Sequence, residues 1–277
     1  MTIRKNFFAA FSIFALLFLV LASGCKKDDE VEDKPMRQVS YDMKVKDVLG
    51  VSGKVTFIER ANSTTIEIEL NGVSDGNHPA HIHFNSAVET GGIAVTLSSV
   101  DGNGESTTSV THLDDNTPIT YDELIAFNGY INVHQSASNL GVIVSQGDIG
   151  GNALTGASKT YNLTEKDSSG VSGTALFEKR NNNNTLVTIT LDGTLAGGSH
   201  PTQIHLGDVN TVGGGPVVAE LNDVNGDSGK GFTNVTKLSN GTLITYDNWM
   251  EYDGYLNIIE SSANPNYILC QGNIGAL

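Results

Sequence analysis

The sequence predicts an all-β protein made of two tandem Greek-key β-sandwich or barrel domains, and three observations carry that expectation. The first is composition: 31 Gly among 277 residues, with 39% hydrophobic and 17% charged residues, describes a packed chain of short strands joined by turns. Gly and Asn supply the positive-φ positions that turns require. The second is alternation. Thr64-Thr65-Ile66-Glu67-Ile68-Glu69-Leu70 sets apolar side chains on one face and acids on the other, the pattern of a half-buried antiparallel strand. The third is an internal repeat. Tyr41-Asp42-Met43 answers to Tyr161-Asn162-Leu163, Leu70-Asn71-Gly72 to Leu191-Asp192-Gly193, and His78-Pro79 to His200-Pro201. Further on, Asn128-Gly129-Tyr130-Ile131-Asn132 answers to Asp253-Gly254-Tyr255-Leu256-Asn257, and Gln146-Gly147-Asp148-Ile149-Gly150 to Gln271-Gly272-Asn273-Ile274-Gly275. The offset between copies grows along the chain, so the matching blocks are core elements and the insertions between them are loops.

The chain opens with Arg4 and Lys5 and an apolar run over residues 7–22, a pattern that reads as a secretory signal of residues 1–24. It is short for a membrane span. The stretch Leu21-Ala22-Ser23-Gly24-Cys25 resembles the lipobox of bacterial lipoproteins, which implies that Cys25 is lipidated and that the chain meets the membrane through its N-terminal lipid. Lys26-Lys27-Asp28-Asp29-Glu30 resembles the lysine-plus-acid tag that sends some Gram-negative lipoproteins to the exposed face of the outer membrane; the alternative is a solvated charge run. Residues 25–38 then read as a charged tether containing Pro35. The two β domains are expected over 39–153 and 154–277.

Within the first copy, strands are expected near 41–47, 52–59, 64–70, 81–85, 93–98, 105–112, 128–135 and 141–149, each bounded by Gly, Asn, Asp or Pro. Tyr121-Asp122-Glu123-Leu124-Ile125-Ala126 is the one helical turn expected. The second copy keeps the alternation in Val187-Thr188-Ile189-Thr190-Leu191.

The strand bearing His81-Ile82-His83, the later Gly129-Tyr130-Ile131-Asn132-Val133-His134 and the closing Gly141-x-Ile143-x-x-Gln146-Gly147-x-Ile149 together resemble the CHRD domain, over residues 41–150 and more weakly over 161–275. Where members of that family show Gly-Glu-Ile-Arg-Gly-Gln, this chain has Gly141-Val142-Ile143-Val144-Ser145-Gln146. The expected domains are immunoglobulin-like or superoxide-dismutase-like in outline. No activity is carried over from the resemblance.

In an extended strand, side chains i and i+2 share a face, so His81 and His83 point the same way. If the strand holding His134 lies beside them, three imidazoles converge, a donor set suited to copper or zinc. The alternative is a set of histidines hydrogen-bonded to backbone at a rigid turn-to-strand junction next to Pro79. His78 and His112 are weaker metal candidates. The second copy has Gln203, His205 and Ile259 in the aligned places, one imidazole in all, and no metal is expected there.

Other motifs are weaker. Asp223-Val224-Asn225-Gly226-Asp227 looks like the start of a calcium loop, but Asn234 stands where the closing Glu belongs, so this stretch and Asp101-Gly102-Asn103-Gly104-Glu105 are expected to be turns. Cys270 is expected to be buried and inert, and Trp249 and Tyr252 to be core. No catalytic set is complete. The net charge of −15 becomes −17 with the loss of Arg4 and Lys5, the only charges in residues 1–24, and such a surface disfavours nucleic acid. The functional expectation is therefore a lipid-anchored, surface-exposed, non-catalytic binding or adhesion module for an envelope or extracellular protein or glycan. The alternative is a copper- or zinc-binding protein serving metal scavenging or redox defence.

Overall fold

A computed structural model describes residues 36–276. The expected signal segment, Cys25 and residues 25–35 of the tether lie outside them. The first β unit comprises β1 (Gln38–Val45), β2 (Ser52–Glu59), β3 (Thr64–Asn71), β4 (His78–Phe84), β5 (Ile93–Val100), β6 (Glu105–Val110), α1 (Tyr121–Ala126), β7 (Asn128–Ser136) and β8 (Asn139–Gly150). The second repeats that order as β9 (Leu154–Glu165), β10 (Ser172–Arg180), β11 (Thr185–Asp192), β12 (Ser199–Leu206), β13 (Val217–Asn225), β14 (Lys230–Val235), α2 (Tyr246–Met250), β15 (Asp253–Ser261) and β16 (Asn264–Gly275). The all-β architecture in two tandem units is what the alternation and the turn residues require.

Each unit wraps its strands in one ring order. The first runs β5-β4-β7-β8-β1-β2-β3-β6, and the second runs through the corresponding strands and closes into a barrel. A single pair, Asn225 with Lys230, makes that closure. In the first unit, β5 and β6 are tied instead by the Ser98 N–H donating to Thr108 Oγ1 at 2.8 Å. β1 serves both halves of its sheet: Gln38 to Met43 pair with β2, then Lys44 and Val45 pair with β8. Bending one strand across two ladders is how the sheet turns its corner.

The period of two in β3 is reproduced in space, with Thr64, Ile66, Ile68 and Leu70 buried and the residues between them turned outward. Its far end meets Gly104, whose φ of +87° and whose approach to the Leu70 carbonyl, 1.9 Å from where a Cβ would stand, leave no room for a side chain. Gly229 repeats the arrangement against Leu191. Each barrel encloses its own apolar core: Met43, Phe57, Ile66, Ile82 and Ile131 in the first, and Phe177, Ile189, Ile204, Leu256 and Trp249 in the second. Full burial of each such side chain stabilises by about 1.5–3 kcal/mol. Cys270 belongs to the second core, where burial pushes its thiol up to about 12.

The helical turn 121–126 is α1. Thr120 caps it, Glu123 returns the bond to the Thr120 N–H, and Tyr121 and Leu124 are buried under it. In α2 the same box is built from Thr245 and Asn248.

The barrels meet through Arg180 at the end of β10. Its side chain is fully buried, and Nη1 donates to Asp148 Oδ2 at 2.7 Å and to the Asn152 carbonyl. The equivalent residue of the first repeat, Arg60, donates to Thr65 Oγ1 and Met36 Sδ and remains only half-buried.

Candidate metal centre

β4 lies between β5 and β7, and its register decides the site. Ile82 pairs with Ile131 on the core side, whereas His81 pairs with Asn132 and His83 with Tyr130 on the opposite face. His134 stands two residues beyond Asn132 on that face. A solvent-facing sheet surface would leave these residues exposed, yet Tyr130, Asn132, His83 and His134 retain only 5%, 3%, 8% and 7% of their accessible surface. The loop 85–92 closes over them on one side: His83 donates Nδ1–H to the Gly91 carbonyl at 2.9 Å, and the Tyr130 ring stacks on the imidazole at 4.8 Å. The β7–β8 hairpin closes the other side, where His134 donates Nδ1–H to the Leu140 carbonyl at 2.6 Å.

Those two bonds select the tautomers. With Nδ1 protonated and engaged, His83 and His134 each present the Nε2 lone pair, the way metal-ligating histidines are held by backbone acceptors. His134 Nε2 lies 3.2 Å from His81 Nδ1, and one ligating atom from each of His81, His83 and His134 falls within 4.8 Å of the others. With metal–nitrogen bonds of about 2.0–2.1 Å, tetrahedral donors stand about 3.3–3.4 Å apart, so the His81–His134 spacing already fits and His83 needs a modest inward shift.

Burial lowers the proton affinity of His81, aided by its neighbours His134 and His83; burial likewise lowers that of His134, against the bond to Leu140. Both rings are therefore held neutral at physiological pH, the form that binds a cation.

The structure places the two remaining histidine candidates elsewhere. His78 is buried on the core side of β4, with its two ring nitrogens against the Ser74 and His134 carbonyls at 3.0 and 3.3 Å. It locks the β3–β4 loop to β7. His112 sits exposed on the loop after β6 and contacts Thr111 Oγ1. Asp101 lies at the β5–β6 turn, where it accepts backbone N–H groups of Asn103 and Glu105, whereas Asp223 lies inside β13 and accepts from the Ser199 hydroxyl, the turn itself running over residues 226–229.

The second barrel carries the same frame with fewer nitrogens. His205 donates Nδ1–H to the Gly215 carbonyl at 2.8 Å and stacks on Tyr255 at 5.0 Å, while Gln203 and Ile259 take the places of His81 and His134. His200, the counterpart of His78, donates to the Glu260 carbonyl at 2.7 Å.

Sequence reasoning missed the residues that hold the site together. Tyr130 and Asn132 were visible as repeat matches of Tyr255 and Asn257 in alternation with His134, and that polar stripe on a strand buried on both faces was the available signal. Asp148 and Arg180 gave none. Asp148 Oδ1 accepts the Ala87 N–H at 2.8 Å while Oδ2 takes Arg180, and Asn234 of β14 donates to Glu89 at 3.0 Å. The second barrel thus braces the very loop whose Gly91 carbonyl orients His83.

Residues 37–146 match the family model of the CHRD domain, which spans the first barrel as far as Gln146 of β8 and leaves the second barrel outside the match. The CHRD family is a β-domain family with no assigned catalytic activity. The tandem second unit is visible in the structure and carries no family match of its own. No curated protein is similar to the chain at a meaningful level.

Proposed function

We propose that the first barrel binds one transition-metal ion, copper or zinc, through His81, His83 and His134, in a protein anchored to the outer membrane by lipidated Cys25. The observation that supports this reading is the convergence of three imidazoles on a covered sheet face, two of them with Nδ1–H committed to backbone carbonyls and Nε2 turned inward. An all-imidazole set suits copper and zinc better than calcium or magnesium, which take oxygen ligands. The role we assign is metal capture or redox defence at the envelope, with no catalytic cycle of the protein's own. Metal analysis of the purified full chain after reloading tests it: one equivalent in the wild type, lost in His83→Ala, is the expected result, and no retained metal ends the proposal.

A second reading has its own support in the tandem arrangement and in the tether-and-lipobox sequence: a surface module that docks an envelope protein or glycan. It is compatible with the metal site and is tested by pull-down of envelope components on the metal-loaded protein.

A further inference from the structure

Resting on the three-histidine reading, we infer that the side-chain oxygen of Asn132 is the fourth ligand of the ion. Asn132 occupies the centre of the face: it is the direct cross-strand partner of His81, it lies two residues before His134 on β7, and its Oδ1 stands 3.0 Å from His83 Nε2. That spacing is close to the separation of two donors sharing one ion at about 2.1 Å.

The contact is also incomplete for a neutral ring, unless an ion or a second ring proton completes it. Nδ1 of His83 faces the Gly91 oxygen and Nε2 faces the Asn132 oxygen, so a neutral ring has one N–H for two acceptors. Since Nδ1 holds the shared proton against Gly91, a lone pair on Nε2 meets a lone pair on the amide oxygen. An ion placed between His83, His81 and His134 satisfies both at once.

The second barrel supplies the control. Asn257 sits in the same register beside His205, but there the amide nitrogen is turned toward Nε2, at 3.4 Å, and Oδ1 is buried without a partner. The amide presents oxygen in the barrel where three imidazoles converge and nitrogen in the barrel where one remains. A carboxamide oxygen leaves the charge of the ion uncompensated, which predicts a site of moderate affinity that a carboxylate would strengthen.

The test titrates the full chain with Zn²⁺ and Cu²⁺ by calorimetry, with Co²⁺ as an optical reporter of coordination number. Asn132→Ala is expected to weaken binding tenfold or more and to shift the Co²⁺ spectrum away from the four-coordinate form; Asn132→Asp is expected to tighten Zn²⁺ binding tenfold or more. If the wild type binds no ion, the three-histidine reading falls and this inference with it. If the wild type binds and both variants match it, Asn132 is no ligand while the histidine site stands. Should circular dichroism show Asn132→Ala unfolded, the nearly isosteric Asn132→Asp decides alone: tighter binding supports the assignment, and unchanged or weaker binding overturns it.

Discussion

In the first barrel, His83 stacks on Tyr130 and donates to Gly91; in the second, His205 stacks on Tyr255 and donates to Gly215, in the same register and at nearly the same distances. What differs is the company: His81 and His134 on one side, Gln203 and Ile259 on the other. Because the second barrel closes around its own core with glutamine and isoleucine in those positions on the outer face, neither imidazole is needed to build the fold. The comparison therefore weighs against reading the first-barrel trio as mere junction scaffolding and toward a ligand-binding role.

The sharpest way to break the comparison is to remove the shared histidine from each barrel in turn. His83→Ala should weaken Zn²⁺ or Cu²⁺ binding at least a hundredfold in calorimetric titration, whereas His205→Ala should leave the stoichiometry at one; loss of metal in both variants would mean that the barrels are not chemically distinct. The converse experiment sharpens it. Gln203→His combined with Ile259→His should add a second equivalent of metal, at a cost of about 1–3 kcal/mol for placing an imidazole where the buried Ile259 packs; one equivalent after both changes would show that the loop 208–216 does not reproduce the first-barrel enclosure.

The bracing across the barrels gives the next effect. Arg180→Met strands the Asp148 carboxylate, and breaking a buried pair in this way typically costs about 3–5 kcal/mol. Calorimetry should show a lowered transition and a several-fold weaker metal site, because the loop bearing Ala87 and Gly91 loses its anchor. Asp148→Asn should be milder for that loop. Asn273, its counterpart, already accepts the Val209 N–H at 2.9 Å in a barrel that has no such arginine contact.

The smallest effect concerns pH. The folded-state proton affinities of His81 and His134 are depressed, so the unfolded chain binds more protons once the pH drops below the ordinary histidine value of about 6.5. Their contribution to the stability of the metal-free protein is complete above that value and declines as the pH falls from there toward the folded pKa values. Urea titrations of metal-free His81→Gln/His134→Ile, which installs the second-barrel residues, should show a flatter acid limb than the wild type; an identical limb would place the acid sensitivity elsewhere.

Much of this was legible in the residues. Strict alternation in β3 foretold which side chains enter the core, the Gly104 and Gly226 turns marked where hairpins reverse, and the His81-x-His83 spacing announced two rings on one face. Tyr130 and Asn132 were legible only in hindsight, since a tyrosine and an asparagine in a strand ordinarily face water. Arg180 was hidden more deeply: its repeat partner Arg60 is the same amino acid and is only half-buried, so no local pattern distinguishes the one that joins the barrels.

The sequence by itself determined the strand menu, the duplication and the identity of the imidazoles, because side-chain period and turn chemistry act over a few residues and survive any arrangement of the whole. Which nitrogens point inward, that a loop and a hairpin cover the outer face, and that the second barrel steadies that cover were decided only by tertiary structure. Those features depend on contacts between residues 6 to 145 positions apart, such as His134 with Leu140 and Glu89 with Asn234, and most of them are set by strand register and barrel closure.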